Sequence, residues 1–198
     1  MIKAIFFDLD GVLVDACDWH YHSLNDALVH YKGFKITYDD HIDKYNGLPT
    51  SVKLDMLGVS QEEKESIWRM KQDRTLENIK MYGSIDNYKI RMLNKLKEEN
   101  YKLVCVTNSI RETATQMLKS TGQLELFDFL ITNEDVENNK PHPDCYLLAM
   151  NRLELSNKEC LIIEDSPKGK QAAYASGAKV LEVNDVYDVT LDNIRRIL

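Results

Sequence analysis

A chain of 198 residues, 43% hydrophobic and 29% charged, suits one soluble globular domain, or a core with a small insertion, and is long enough to bury an apolar core. Its formal charge of −7 and pI near 5.3 argue against a broad basic surface of the kind that holds nucleic acid. No stretch approaches the roughly 20 apolar residues that a membrane helix requires.

Along the chain, the first predicted element is a strand over Ile2–Phe7. This apolar run reaches Asp8 too soon for a leader peptide, so none is expected. From about Asp18 to Met81 the sequence shows helical periods, Trp19–Tyr31 and Gln61–Ile79, and no buried strand. That excursion predicts a helical cap over residues 16–81, inserted into a core of 1–15 and 82–198. Its hinges would lie near Val14–Cys17 and Tyr82–Ser84. A helix is predicted over Asp86–Glu99, stopped by Asn100, then a strand over Lys102–Val106. A helix over Arg111–Ser120 ends near Gly122, and Phe129–Thr132 is the next strand. Pro143–Arg152 reads as a helix opened by proline. Leu161–Glu164 is a strand, Pro167–Ser176 a helix closed by Gly177, and Lys179–Val183 the last strand. Short apolar runs alternating with helices predict a three-layer, Rossmann-like α/β core with a parallel sheet. Cys17, Cys105, Cys145 and Cys160 lack metal-site spacing and read as reduced thiols, so a cytoplasmic protein is expected, and a monomer.

Chemistry gathers where these strands end. In Asp8-Leu9-Asp10-Gly11 two carboxylates one residue apart point to the same side of a strand end. In a parallel sheet that end faces the ligand crevice. Two anions there call for a cation between them, most simply a divalent ion. A plain Asp/Gly turn is the competing reading. Thr107-Asn108-Ser109 places short hydrogen-bonding side chains after the second core strand, suited to anionic oxygens or to a turn. Lys140, in Asn139-Lys140-Pro141-His142-Pro143, could neutralise a phosphate or be a solvated surface lysine. Glu164-Asp165 ends another apolar strand. With the first pair it makes a plausible oxygen-ligand site for a hard cation, against the alternative that Asp165 merely caps the next helix.

These four stations, D-L-D-G-V-L-V-D, V-T-N-S, K-P-H-P-D and E-D-S-P-K-G, resemble the haloacid dehalogenase superfamily in kind and order, over essentially the whole chain. The chain is most similar to the branch of β-phosphoglucomutase and small sugar-phosphate phosphatases. The resemblance implies a Mg²⁺-dependent phosphatase that hydrolyses a small phosphorylated metabolite, such as a sugar phosphate, through an aspartyl-phosphate. A β-phosphoglucomutase-like phosphomutase is the alternative. It also implies Asp8 as nucleophile and Asp10 as general acid and base. The Mg²⁺ ligands would be Asp8, Asp10 through its carbonyl, and Asp165, with Glu164 supporting that set. Thr107, Asn108 and Lys140 would hold the transferring phosphoryl group. Dehalogenases lack the second aspartate, so Asp10 favours phosphate chemistry. In the cap, His20 lies where the mutase branch also has a histidine, and could couple closure to Asp10. The loop containing Gly47 and Thr50 resembles the substrate-facing loop of that branch. Its mutases carry an arginine where Thr50 falls, and threonine cannot clamp a second phosphate with two bonds. Lys71 and Arg74 are candidate cap cations.

Overall fold

A computed structural model describes all of residues 1–198. Five strands make one parallel sheet: β1 Ala4–Phe7, β2 Lys102–Val106, β3 Phe129–Ile131, β4 Cys160–Glu164 and β5 Lys179–Glu182. Their order across the sheet is β3-β2-β1-β4-β5. β1 is thus central, with Phe7 opposite Cys105 on one side and Ile163 on the other. Between β1 and β2 come α1 Cys17–Lys32, α2 Tyr38–Asp40, a π-helical turn His41–Tyr45, α3 Thr50–Met56, α4 Gln61–Tyr82 and α5 Asn87–Glu98. The remaining helices are α6 Arg111–Ser120, α7 Asp144–Leu153, α8 Pro167–Ala175 and α9 Leu191–Ile197.

The two-residue period of a strand divides the apolar side chains between two layers. Ile5, Phe7, Leu103, Cys105, Leu161 and Ile163 meet Met92, Leu93 and Leu96 of α5 and Met117 and Leu118 of α6. Ala4, Phe6, Val104, Val106, Cys160 and Ile162 meet Tyr146, Ala149 and Met150 of α7 and Ala172 and Ala173 of α8. Both faces being covered explains why β1 is wholly apolar and buried. Burying each large side chain contributes about 1.5–3 kcal/mol, so Phe6→Ala would cost about 3–5 kcal/mol.

The segment after β1 packs around a cluster of its own: Leu24, Ala27 and Leu28 of α1, Ile36, Tyr45, Leu54 of α3, Val59, and Ile67 of α4. This is the helical cap. Gly33 ends α1 in the left-handed region, at φ 71, with its N–H returned to the Val29 carbonyl. The three-layer α/β arrangement expected from the sequence is present. Three helices were not foreseen: the three-residue α2, opened where Thr37 accepts from the Asp40 N–H, and α3 and α9. α3 is seven residues long and starts directly after Pro49 without a side-chain cap. α9 starts where Thr190 accepts from the Asn193 N–H. No helix is long and apolar enough to cross a membrane.

Candidate active site

The carboxyl ends of β1, β2 and β4 and the roof formed by the cap enclose one polar cleft of about 70 Å³. Asp8, Asp10, His20, Gly47, Thr50, Lys71, Thr107, Asn108, Lys140 and Asp165 all line it. Glu164 lies just beneath. Arg74 is elsewhere: its guanidinium is exposed and bonds Glu77 at 2.6 Å, one turn along the same helix. That ion pair on the outer face of α4 corrects the expectation that Arg74 serves the site.

On the floor, the Lys140 ammonium donates to Asp8 Oδ1 at 2.9 Å, to the Val106 carbonyl at 2.8 Å and to Glu164 Oε1 at 2.5 Å. It is 4% exposed, so the surface-lysine reading fails. Glu164 is fully buried and also accepts from the Tyr146 hydroxyl at 2.5 Å. Its carboxylate is therefore turned to holding Lys140. Gly169 makes room for it, since a Cβ there would lie 2.1 Å from the Glu164 carboxylate. Burial alone would lower the proton affinity of Lys140, but Asp8 and Glu164 outweigh it and hold the ammonium charged.

Asp8, Glu164 and Asp165 each offer a carboxylate oxygen, all within 4.8 Å of one another. Asp165 is free to face the cleft because Ser166, and not Asp165, caps α8, accepting from the Gly169 N–H at 3.1 Å. Asp165 Oδ1 is buried with no partner at all. Gly11, at φ +83, comes so close that a Cβ would sit 2.2 Å from Asp165 Oδ2. Burial, then the charge of Glu164, pushes Asp165 up to about 7 and Asp8 well above the ordinary carboxylate range. An all-oxygen set of crowded carboxylates with one orphaned oxygen fits a hard divalent cation.

Asp10 is held differently. Its Oδ1 accepts from His20 Nε2 and its Oδ2 from Ser109 Oγ, each at 2.9 Å. Burial opposes ionisation here too, but the His20 charge and these two hydrogen bonds prevail and lower Asp10. Burial, then Lys71, lowers His20 as well. Lys71 Nζ lies 3.1 Å from His20 Nδ1, which leaves the ring proton on Nε2 toward Asp10. Lys71 is itself pushed down to about 7 by burial and then by Lys53.

Thr107 Oγ1 accepts from the Ser109 N–H at 3.0 Å, fixing the turn after β2. The Asn108 amide is occupied by backbone: Nδ2 donates to the Gly47 carbonyl at 2.9 Å and to the Lys140 carbonyl at 3.2 Å, and Oδ1 accepts from the Lys140 N–H at 3.1 Å. It thus ties the core to the cap loop. Gly47, at φ +74, passes so close to the core that a Cβ would meet Ser166 Oγ at 3.3 Å. Thr50 is buried and faces the cleft. Sequence reasoning missed Lys53, a second cap ammonium lining the same cleft. No capping residue or periodic pattern marked the short helix that carries it.

A family model described as "haloacid dehalogenase-like hydrolase" matches residues 5–183. A protein assigned provisionally as the pyrophosphatase PpaX, from Caldanaerobacter subterraneus subsp. tengcongensis, is 31% identical over 182 residues, covering 92% of this chain and 81% of that one. The phosphorylated carbohydrates phosphatase of Thermotoga maritima is 28% identical over 179 residues, covering 89% and 82%. The crystal structure of β-phosphoglucomutase from Clostridium difficile superposes with a TM-score of 0.86 at 24% identity, covering 99% of this chain and 96% of that one.

Proposed function

The chain belongs to the haloacid dehalogenase-like hydrolase family, as a phosphoric monoester hydrolase, and from that premise we propose that it is a Mg²⁺-dependent phosphatase of a small phosphorylated metabolite, working through an aspartyl-phosphate on Asp8. The observation that carries this reading is the unlike treatment of two aspartates at one strand end. Asp8 is bonded to a buried ammonium beside an orphaned carboxylate oxygen, and Asp10 is held apart by His20 and Ser109.

In this reading an Asp8 oxygen attacks phosphorus, the bond to the leaving oxygen breaks, and Asp10 gives that oxygen a proton. Asp10 rests ionised, but an arriving phosphate adds negative charge beside it and raises its proton affinity. Water then attacks the aspartyl-phosphate and returns a proton to Asp10, releasing phosphate and restoring Asp8. Asp8, Asp165 and the Asp10 carbonyl would hold the metal. The metal would neutralise charge as an anionic phosphate approaches Asp8. Lys140 would balance the phosphoryl oxygens, and Thr107 and Asn108 would shape the turn that receives them. His20 and Lys71, both from the cap, would hold Asp10 in place only while the cap is down. The small cleft suits a small substrate such as a short sugar phosphate.

The test is phosphate release from a panel of sugar phosphates and an aryl phosphate, with Mg²⁺, with chelator, and with Asp8→Asn. Metal-dependent release that Asp8→Asn abolishes supports the reading; no release from any substrate overturns it. A β-phosphoglucomutase-like phosphomutase is the second reading, and Thr50 in place of an arginine weighs against it. Conversion of β-glucose 1-phosphate that needs a bisphosphate activator would establish the mutase instead.

A further inference from the structure

The roof of the cleft holds one ammonium that nothing in the fold answers. Lys53 and Thr50 sit one turn apart on α3, and both line the cleft. Lys53 is 5% exposed, yet its Nζ has no hydrogen bond and no ion pair. The groups around it are engaged elsewhere. Lys71 faces His20 Nδ1, the Asp10 carboxylate is taken by His20 and Ser109, and Lys168 reaches toward the Lys44 carbonyl. The Lys53 ammonium is not sealed off, since its Nζ keeps contact with solvent, but the fold gives that charge no acceptor of its own. Here the open side of that ammonium is the cleft itself.

We propose that Lys53 is a specificity-determining residue that receives an anionic group, carboxylate or phosphate, at the end of the substrate remote from the phosphoryl group taken by Asp8. The proposal rests on the phosphatase reading above and narrows its substrate class. A substrate that spans the cleft sets its phosphoryl end on the floor, against Asp8 and Lys140. Its other end lies under α3, between Thr50, Ser51 and Lys53. A neutral polyol there would offer hydrogen bonds but leave the Lys53 charge uncompensated. A second anion would neutralise it, and the Thr50 and Ser51 hydroxyls could donate to the same oxygens. Burial pushes Lys53 down to about 8, which leaves it mostly charged near neutral pH.

The experiment is steady-state hydrolysis of four phosphate monoesters by the Mg²⁺-supplied enzyme. Ethyl phosphate and p-nitrophenyl phosphate have uncharged tails; phosphoglycolate carries a carboxylate and 1,3-propanediol bisphosphate a second phosphate. We expect wild type to favour the charged tails in kcat/KM. In Lys53→Met that preference should fall about 10- to 100-fold, mainly through KM, as expected for a lost charged hydrogen bond. Lys53→Arg should keep most of it. Which charged tail suffers more in Lys53→Met identifies the anion as carboxylate or phosphate. If all four substrates shift by one common factor, or if wild type shows no preference, the proposal is wrong while the phosphatase reading stands. If wild type releases phosphate from none of them, the phosphatase reading fails and this proposal falls with it. Should Lys53→Met not fold, the wild-type preference and its retention in Lys53→Arg decide the matter.

Discussion

On the floor of the cleft, Lys140 lies between the carboxylates of Asp8 and Glu164, and the Tyr146 hydroxyl completes the set. On the roof, Lys71 meets only the His20 imidazole and Lys53 has no hydrogen-bond partner. His41 is buried there with neither ring nitrogen bonded, pushed down to about 3 by burial and then by Lys53. Both regions bury cations, but only the floor supplies their counter-charges from the chain. The supports differ as well. The floor stands on strand ends packed by clusters of 23 and 13 buried apolar residues, whereas the cap has eight. A complete, rigid charge set suits the invariable part of the reaction, and an incomplete one on a lighter support suits the part that selects.

The largest expected effect attacks the floor directly. Asp8→Asn should lower turnover by at least ~10⁴-fold, as loss of a nucleophile does. Folding should survive, because the change relieves repulsion among Asp8, Glu164 and Asp165; single-turnover assays with a denaturation curve would check both. Next, Lys140→Met leaves two buried carboxylates without their cation and should cost about 3–5 kcal/mol of stability in urea unfolding. Its roof counterpart, Lys71→Met, should change stability by less than about 1 kcal/mol or raise it, since no carboxylate is stranded. Equal losses in the two variants would erase the distinction between floor and roof. His20→Ala should lower kcat by about 10- to 100-fold with little change in KM, as for a group that orients a reacting one. An unchanged kcat would show that Asp10 needs no support from the cap.

The smallest effect is a pH dependence confined to the roof. Lys53, near 8, loses its charge as pH rises through that value, with Asp10 and Cys17 holding the proton on and Lys168 opposing them. His41 and Lys71 are also close, the first neutral and the second largely discharged by then. KM for an anionic-tailed substrate should therefore rise about three- to tenfold between pH 7 and 9, and KM for ethyl phosphate should not follow it. Parallel profiles for both substrates would assign the change to the floor.

The floor was legible in the sequence because strand ends announce themselves. An apolar run that stops at Asp8, or at Glu164-Asp165, fixes both the element and the side its carboxylates face. Even there, residue identity left choices that only packing settles: whether Asp165 or Ser166 caps α8, and whether Lys140 is solvated or buried. The roof was barely legible. Lys71 lies in a charged helix beside Arg69 and Arg74, and only the contact with α1 turns it inward while Arg74 pairs with Glu77. Lys53 was hidden because α3 has no cap signal and spans two turns. A lysine on so short a helix gives no periodic pattern from which burial could be read.

The Asn108 amide has one more consequence. Two of its three bonds go to Lys140, within the core, and one goes to the Gly47 carbonyl of the cap loop. Of these three bonds, raising the cap would break only the last, at a cost of about 1 kcal/mol. The remaining two keep the residue in position to be caught again. On cap opening, Asn108 would act as a catch with a permanent anchor and a weak release, keeping the alignment of the two parts.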